Sequence, residues 1–397
     1  MEHVESRVVL DIDLDILAEN YRKIAASVAP LQTIVVLKAD AYGLGMRPVA
    51  QALAQAGAAA IATAELAEAL AATDLGLPVL LLGTVLPGEL EPALRAGVRV
   101  PVAGLDEARA IAEAAGRLGV AARGHLALDT GMGRVGIRLQ DAADVIPRIA
   151  ALPNLVLEGM YSHFPTAYLE HDAETPRQIE AFLALAASLR AQGIAPPWLH
   201  IANSDAINNF PDAACRPPFT HVRTGINLYG SFDTIGNRRL RLRPVLAMRA
   251  RLAQVRTLSA GSTIGYGRTF VCPRDMRIGT VAAGYADGLP LALSNRGSLL
   301  VRGRPCPVVG RISMDYTTVA LDQVEDAQAG DDVVCVGGEA PGAMSVEAWA
   351  TLKGTHPYEV ICSFGSRVQR RYVGGVEGTG KNGNRSVAGV KPNAPRT

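Results

Sequence analysis

The chain has 397 residues, 49% of them hydrophobic, and its 39 Lys and Arg against 38 Asp and Glu leave a net charge of +1. At roughly 100–200 residues per domain this length predicts two or three domains, and the apolar fraction excludes a disordered chain. The charge balance argues against a nucleic-acid partner. No run of about 18 uncharged apolar residues predicts a membrane span, and the charged start has no signal-peptide core.

In chain order, a helical pattern over 14–28 comes first. β-branched or Leu-rich runs then read as strands at 32–39, 59–64, 78–83, 98–103, 122–129, 155–163, 197–203 and 219–224. Helical patterns at 47–57, 65–75, 88–96, 105–119, 139–152, 175–193 and 205–210 alternate with them. In 105–119, Leu105, Ala108, Ile111 and Ala115 recur at helical spacing, with Asp106 near the start and Gly119 at the end. Eight strand–helix alternations favour a closed parallel (β/α)8 barrel over a doubly wound open sheet, which usually has fewer strands and a reversal of strand order.

After about residue 236 the helical periods give way to short Val-, Thr- and Ile-rich runs between Gly and Pro turns, an all-β pattern. One helix is predicted at 345–354, with Ser345 as its N-cap. The fold class is therefore α/β: a barrel over 1–236, with the first residues free to pair elsewhere, then a mostly-β domain over 237–373. A Gly- and Asn-rich tail over 374–397 reads as disordered. Five scattered cysteines with no C-x-x-C predict buried free thiols in a reducing cytoplasm, with neither a disulfide framework nor a metal site.

A barrel carries its chemistry at the C-terminal ends of its strands. The polar oddities fall there: Lys38 ending the first strand, Arg134 in DTGMGRVG, His163 in MYSHFP, Asn203 and Ser204 in HIANSDA, and Arg223 before the Gly225–Ile226 step. Singly, each has a bland alternative. A lysine can snorkel from a strand end, a lone histidine is commonly structural, and an arginine beside glycine is commonly a solvated turn residue. Together on one rim they argue for a site. A desolvated lysine can act as nucleophile or base. A serine with nearby backbone amides can hold a phosphate, and two arginines suit anionic oxygens or a ring. That set is what pyridoxal phosphate, bound through a lysine, requires.

VVLKADAYGLG resembles the pyridoxal phosphate signature of the alanine racemase family. DIDLDILAENY, DTGMGRVGI, YSHF, ANSDA, VRTGINLYG, AGSTIGYGRTF, GYADGLP, GRISMD and PYEVIC are similar to further segments of that family, in the same order, over about residues 10–372. The resemblance implies a barrel plus β domain, pyridoxal phosphate as cofactor, and a homodimer whose sites are shared between subunits. It implies that Lys38 binds the cofactor and exchanges the α-proton on one face, while Tyr266 from the partner serves the other. Tyr42, Ser204, Tyr358 and the amides of Gly225 and Ile226 are implied to hold the phosphate. Arg223 is implied at the pyridine nitrogen, with His163 bonded to it, and Arg134 and the Met314 amide at the substrate carboxylate.

The implied activity is interconversion of L- and D-alanine, supplying D-alanine for peptidoglycan. The alternatives are a same-fold racemase for serine or for many amino acids, a non-catalytic pyridoxal phosphate-binding protein, and a decarboxylase. The β domain argues against the third, and Arg223 and Ser313 against the fourth. The chain departs from the family at Asp40, Leu44 and Ala127. At Ala127 the family usually has a lysine, often carbamylated, that braces the arginine of DTGMGR. Its loss leaves Arg134, expected to be buried, in need of another partner.

Overall fold

The structure, a computed structural model, describes residues 6–233, 235 and 238–375. Strand β1, Val9–Asp13, runs into a helix spanning Leu14–Val28. Leu14, Leu17, Tyr21, Ile24 and Val28 recur every three or four residues and are all buried, the stripe an amphipathic helix presents to a core. Asp13 caps this helix: its carboxylate accepts from the amides of Asp15 at 3.0 Å and Ile16 at 2.9 Å.

Strands β2 (Gln32–Val36), β3 (Ala60–Thr63), β4 (Val79–Leu81), β5 (Val100–Val102) and β6 (Ala122–Asp129) follow, separated by helices. A short β7 (Ile137–Arg138) pairs with β6, and β8 (Leu155–Tyr161), β9 (Trp198–His200) and β10 (His221–Thr224) complete the series. One parallel sheet runs β10-β2-β3-β4 and another β5-β6-β8-β9. Two seams join them. Leu81 donates to Arg99 O and Arg99 to Val79 O, both at 2.9 Å; Thr220 donates to Leu199 O and Arg223 to Ala202 O, also at 2.9 Å. The eight parallel strands therefore close into the (β/α)8 barrel the alternation predicts. Gly119 ends the helix Leu105–Leu118 in a left-handed conformation, as expected, but Asp106 lies in its first turn and the N-cap is Gly104.

The second region is built on strands: β11 (Leu246–Leu258), β12 (Thr263–Ile264), β13 (Phe270–Val271), β14 (Met276–Val281), β15 (Ser298–Val301), β16 (Arg304–Pro307), β17 (Thr317–Ala320), β18 (Asp332–Gly337) and β19 (Gln369–Val373). Its main sheet has the order β16-β15-β18-β11-β1-β19, with β14 linking β11 to β17. β1 thus belongs to this sheet, antiparallel to β11 and parallel to β19. Ser345 caps the helix Val346–Lys353, accepting from Ala348 N at 3.1 Å, and Trp349 in that helix is fully buried. The tail expected to be disordered lies outside the described residues except for Gly374 and Gly375.

Asp13→Ala leaves two first-turn amides without their acceptor. It is expected to lower stability by about 1 kcal/mol, measured as a shift in the urea midpoint with unchanged slope.

Candidate active site

The C-terminal ends of the barrel strands surround a cavity of about 950 Å³. Lys38, Tyr42, Arg134 and His163 line it, together with Ser204, Arg223, Gly225 and Tyr358. Ile226 is fully buried just behind Gly225. Tyr266 and Met314 lie outside this chain's cavity, on the surface of the β region, 70% and 52% exposed.

Lys38 is not on the first strand, which ends at Val36; this corrects the sequence reading. The last sheet bond is Leu37 N to Ala62 O at 2.8 Å, and the chain then turns through Ala39, Asp40, Ala41 and Tyr42 with φ of 53°, 53°, 54° and 62°. Left-handed residues other than glycine cost about 1–2 kcal/mol each. Outside contacts hold this turn. The Asp40 carboxylate accepts from Met46 N at 2.7 Å, Arg370 Nε of β19 donates to Gly43 O at 3.0 Å, and the Tyr372 hydroxyl donates to Leu44 O at 2.9 Å. Lys38 stands exposed at the mouth, yet desolvation first, then the Arg134 charge, lower its amine pKa against the pull of Cys362 and Glu68.

Ser204 opens the short helix Ser204–Asn209, which Asn203 caps by accepting from Ala206 N at 2.9 Å. The Ser204 hydroxyl donates to Asn227 Oδ1 and accepts from Gly225 N, both at 2.9 Å. A Cβ at Gly225 would strike the Tyr42 hydroxyl, so only glycine lets that phenol close on the step. The Tyr42 ring lies 6.0 Å from that of Tyr358. Burial raises the pKa of both phenols, so they remain neutral donors. Asp205, which sequence reasoning passed over, also lines this end of the cavity; burial and the charge of Asp233 push its pKa up to about 6.

Arg223 is 3% exposed and lies within β10. Its Nη1 donates to His200 Nδ1 and His200 O, both at 2.9 Å. Its Nη2 donates to Ser162 O at 2.6 Å, Ile201 O at 3.1 Å and His163 Nδ1 at 3.4 Å. The guanidinium also lies over the Tyr161 ring, 5.6 Å from its centroid. Among the described residues no acceptor meets the remaining Nε–H, on a side chain that lines the cavity. An acceptor atom of a planar ring, such as a pyridine nitrogen, suits that single donor. Burial, then Arg223, Arg134 and Lys38, hold the His163 pKa down at about 3, so this imidazole is neutral.

Two expectations need correcting. Arg134 is exposed on this chain, because Asp129 Oδ1 accepts from Gly131 N and Gly133 N at 3.0 Å and turns the loop outward; Ala127 stays buried in β6 opposite Tyr161. Of the cysteines, four are buried, but Cys362 is exposed and lines the cavity at the end of the helix Pro357–Cys362. Among the described residues no His, Cys, Asp and Glu group could hold a metal ion.

Residues 12–233 match the alanine racemase N-terminal domain and residues 245–372 the alanine racemase C-terminal domain. The chain belongs to the alanine racemase family. It is 37% identical over 370 residues to the alanine racemase of Desulforamulus reducens and 38% identical over 371 residues to that of Syntrophobacter fumaroxidans. Each alignment covers 92% of this chain and 98% of the relative. The crystal structure of alanine racemase from D-cycloserine-producing Streptomyces lavendulae superposes with a TM-score of 0.87 at 34% identity, over 94% of this chain and 99% of that one. That of Bartonella henselae, solved with covalently bound pyridoxal phosphate, superposes at 0.82 with 28% identity, over 93% and 100%. Alanine racemase family enzymes depend on pyridoxal phosphate, and the cavity's lysine, phenols, serine and unspent guanidinium donor fit that group.

His125, His163, His200 and His221 all have pKa values lowered by burial. The folded state keeps them neutral where the unfolded chain binds protons near 6.5. Between 6.5 and the folded values, about 3 for His163 and about 4 for His221, the unfolded state holds more protons, so stability rises with pH. Each such histidine adds a slope of about 1.4 kcal/mol per pH unit below its unfolded pKa. Urea melts from pH 8 down to pH 5 are expected to show stability falling steadily below pH 6.5; a flat profile contradicts neutral buried imidazoles.

Proposed function

We propose that the chain interconverts L- and D-alanine, using pyridoxal phosphate held in the barrel mouth, as a homodimer that shares residues between its sites. The observation that supports this most is one cavity joining an amine held below its usual pKa to a buried guanidinium with one donor to spare. When bound, the cofactor supplies the electron sink that makes the substrate Cα–H acidic.

Lys38 anchors the cofactor and moves the α-proton at Nζ on one face of the substrate. Tyr42, Ser204, Tyr358 and the Gly225 and Ile226 amides bind the phosphate. Arg223 Nε, without an acceptor among the described residues, would donate to the ring nitrogen. A guanidinium, unlike a carboxylic acid, would yield no proton to that nitrogen. His163, neutral beside Arg223, keeps the guanidinium in place. Arg134 and the Met314 amide take the substrate carboxylate.

Inversion requires a proton donor on each face. Tyr266 does not line this cavity on its own chain, and we assign it, with Met314, to the site of a partner subunit. The same reading has the enzyme work in the cytoplasm and supply D-alanine for peptidoglycan. A panel of L-amino acids followed by chiral chromatography tests the substrate: alanine is expected to racemise fastest, and serine turned over at least as fast would favour the broader racemase.

Lys38→Ala is expected to abolish racemisation together with the visible absorbance of bound cofactor. Tyr266→Phe is expected to slow α-proton exchange by about 10²–10⁴-fold, more for one enantiomer than for the other. Mixing the two inactive proteins is expected to restore activity toward about a quarter of normal, the statistical share of intact sites in a two-fold dimer. Full subunit exchange without recovery contradicts a shared site.

A further inference from the structure

A line of buried polar side chains extends from Arg223 into the barrel. His200 Nδ1 receives Arg223 Nη1 at 2.9 Å and His200 Nε2 lies 3.0 Å from His125 Nδ1; His125 Nε2, buried and without a hydrogen-bond partner, lies within electrostatic reach of Glu158 Oε2 at 3.5 Å. Arg223, His200, His125 and Glu158 are 3%, 0%, 0% and 8% exposed. Barrel interiors are ordinarily filled by branched apolar side chains, and buried polar groups are costly unless paired.

The direction of every proton in this line follows from its first member. A guanidinium only donates, so His200 Nδ1 must accept and the His200 proton sits on Nε2. That N–H points to His125 Nδ1, which must accept in turn, leaving the His125 proton on Nε2, toward the carboxylate. Glu158 is held ionised. Burial opposes this, but His125 and the arginines Arg123, at 2.7 Å, and Arg99, at 2.8 Å, bring its pKa down to about 2. A second proton on either imidazole would set N–H against N–H; burial lowers both histidine pKa values, for His200 with the Arg223 charge and for His125 against the pull of Glu158.

The backbone is shaped for this contact. The β6–β8 pairing steps from Gly124↔Leu157 to His125↔Gly159, so Glu158 is the extra residue of a β-bulge, a device that re-aims a side chain. A Cβ at Gly159 would collide with the His125 ring, and Gly159 does not have positive φ, so this glycine provides room and not conformational freedom. Aromatic rings pin the imidazoles: Trp198 lies edge-on to His125 at 5.4 Å, and Tyr161 stacks on His200 at 5.2 Å and 6°.

We propose that Glu158 is a positioning residue of the active site: its carboxylate favours the same imidazole tautomers that Arg223 dictates and, through His125 and His200, holds the orientation of the Arg223 guanidinium. This rests on the assignment of Arg223 to the cofactor ring. The carboxylate polarises His125 and, through it, His200, making His200 Nδ1 a stronger acceptor for Arg223.

The test has two arms. In the unaltered holoenzyme labelled with ¹⁵N-histidine, His200 and His125 are expected as neutral Nε2–H tautomers from about pH 6 to 9; an Nδ1–H tautomer or an imidazolium at either position overturns the proposal. In Glu158→Gln and Gly159→Ala, with cofactor still bound, kcat is expected to fall about tenfold with KM little changed, and the pH titration of the cofactor's visible band to shift. Gly159→Ala leaves every charge in place and only displaces the His125 ring, so it decides the matter should Glu158→Gln not fold. If both variants keep the normal titration and kcat, the line is mere packing and the proposal is wrong. A holoenzyme that binds no pyridoxal phosphate would instead sink the functional reading, leaving the tautomer result to stand on its own.

Discussion

The burial of one permanent positive charge governs this barrel mouth. Arg223 cannot shed its proton at any working pH; burial lowers its pKa only to about 10. A buried unpaired cation is strongly destabilising, so the surroundings must supply acceptors. Three carbonyls, at Ser162, His200 and Ile201, come from the ends of two neighbouring strands, and His200 and His163 supply ring nitrogens. Strand ends, tautomers and the bulge in β8 are mutually consistent only with the guanidinium in its present place. Its location, at a barrel seam where Arg223 N bonds Ala202 O, ties closure of the barrel to the geometry of the site.

The second constraint is the left-handed turn after β2. Four successive non-glycine residues with positive φ are unfavourable on their own, and such strain persists where the surroundings over-determine it. Here the β region supplies the restraint. Arg370 binds Gly43 O and also reaches Gly365 O, Val368 O and Phe364 O, while Tyr372 binds Leu44 O. A side chain at Gly45 would collide with Tyr372. The final strand of the β region, β19, thus clamps the turn that carries Lys38. The lysine's placement depends on both regions of the same chain.

Much of this was legible in the sequence, for identifiable reasons. The helix Leu14–Val28 is readable because its apolar stripe is regular and Asp13 precedes it, and the eight barrel strands because each is a short apolar run bounded by helical patterns. Lys38, His163, Ser204 and Arg223 stand out as polar groups at apolar strand ends. The left-handed turn gave little sign, since Ala39, Ala41 and Tyr42 carry no preference for positive φ and Asp40 alone is of a type enriched there. Glu158 and His125 were missed because they lie inside strands, where a polar residue reads as solvent-facing alternation; the bulge re-aims Glu158, and nothing in the local pattern marks it. Cys362 reads like any other scattered cysteine until the fold places it beside Lys38. Tyr266 and Met314 were reachable through family resemblance alone, since nothing in their local sequence ties them to a cavity on which their own chain does not place them.

In the proposed site a guanidinium, and not an acid, meets the cofactor's ring nitrogen. The most direct measurement is the ¹⁵N NMR shift of pyridoxal phosphate labelled at that nitrogen and reconstituted into the enzyme. An unprotonated pyridine nitrogen across the neutral pH range, accepting a hydrogen bond, is the result expected for Arg223 at that position. A protonated pyridinium would contradict it.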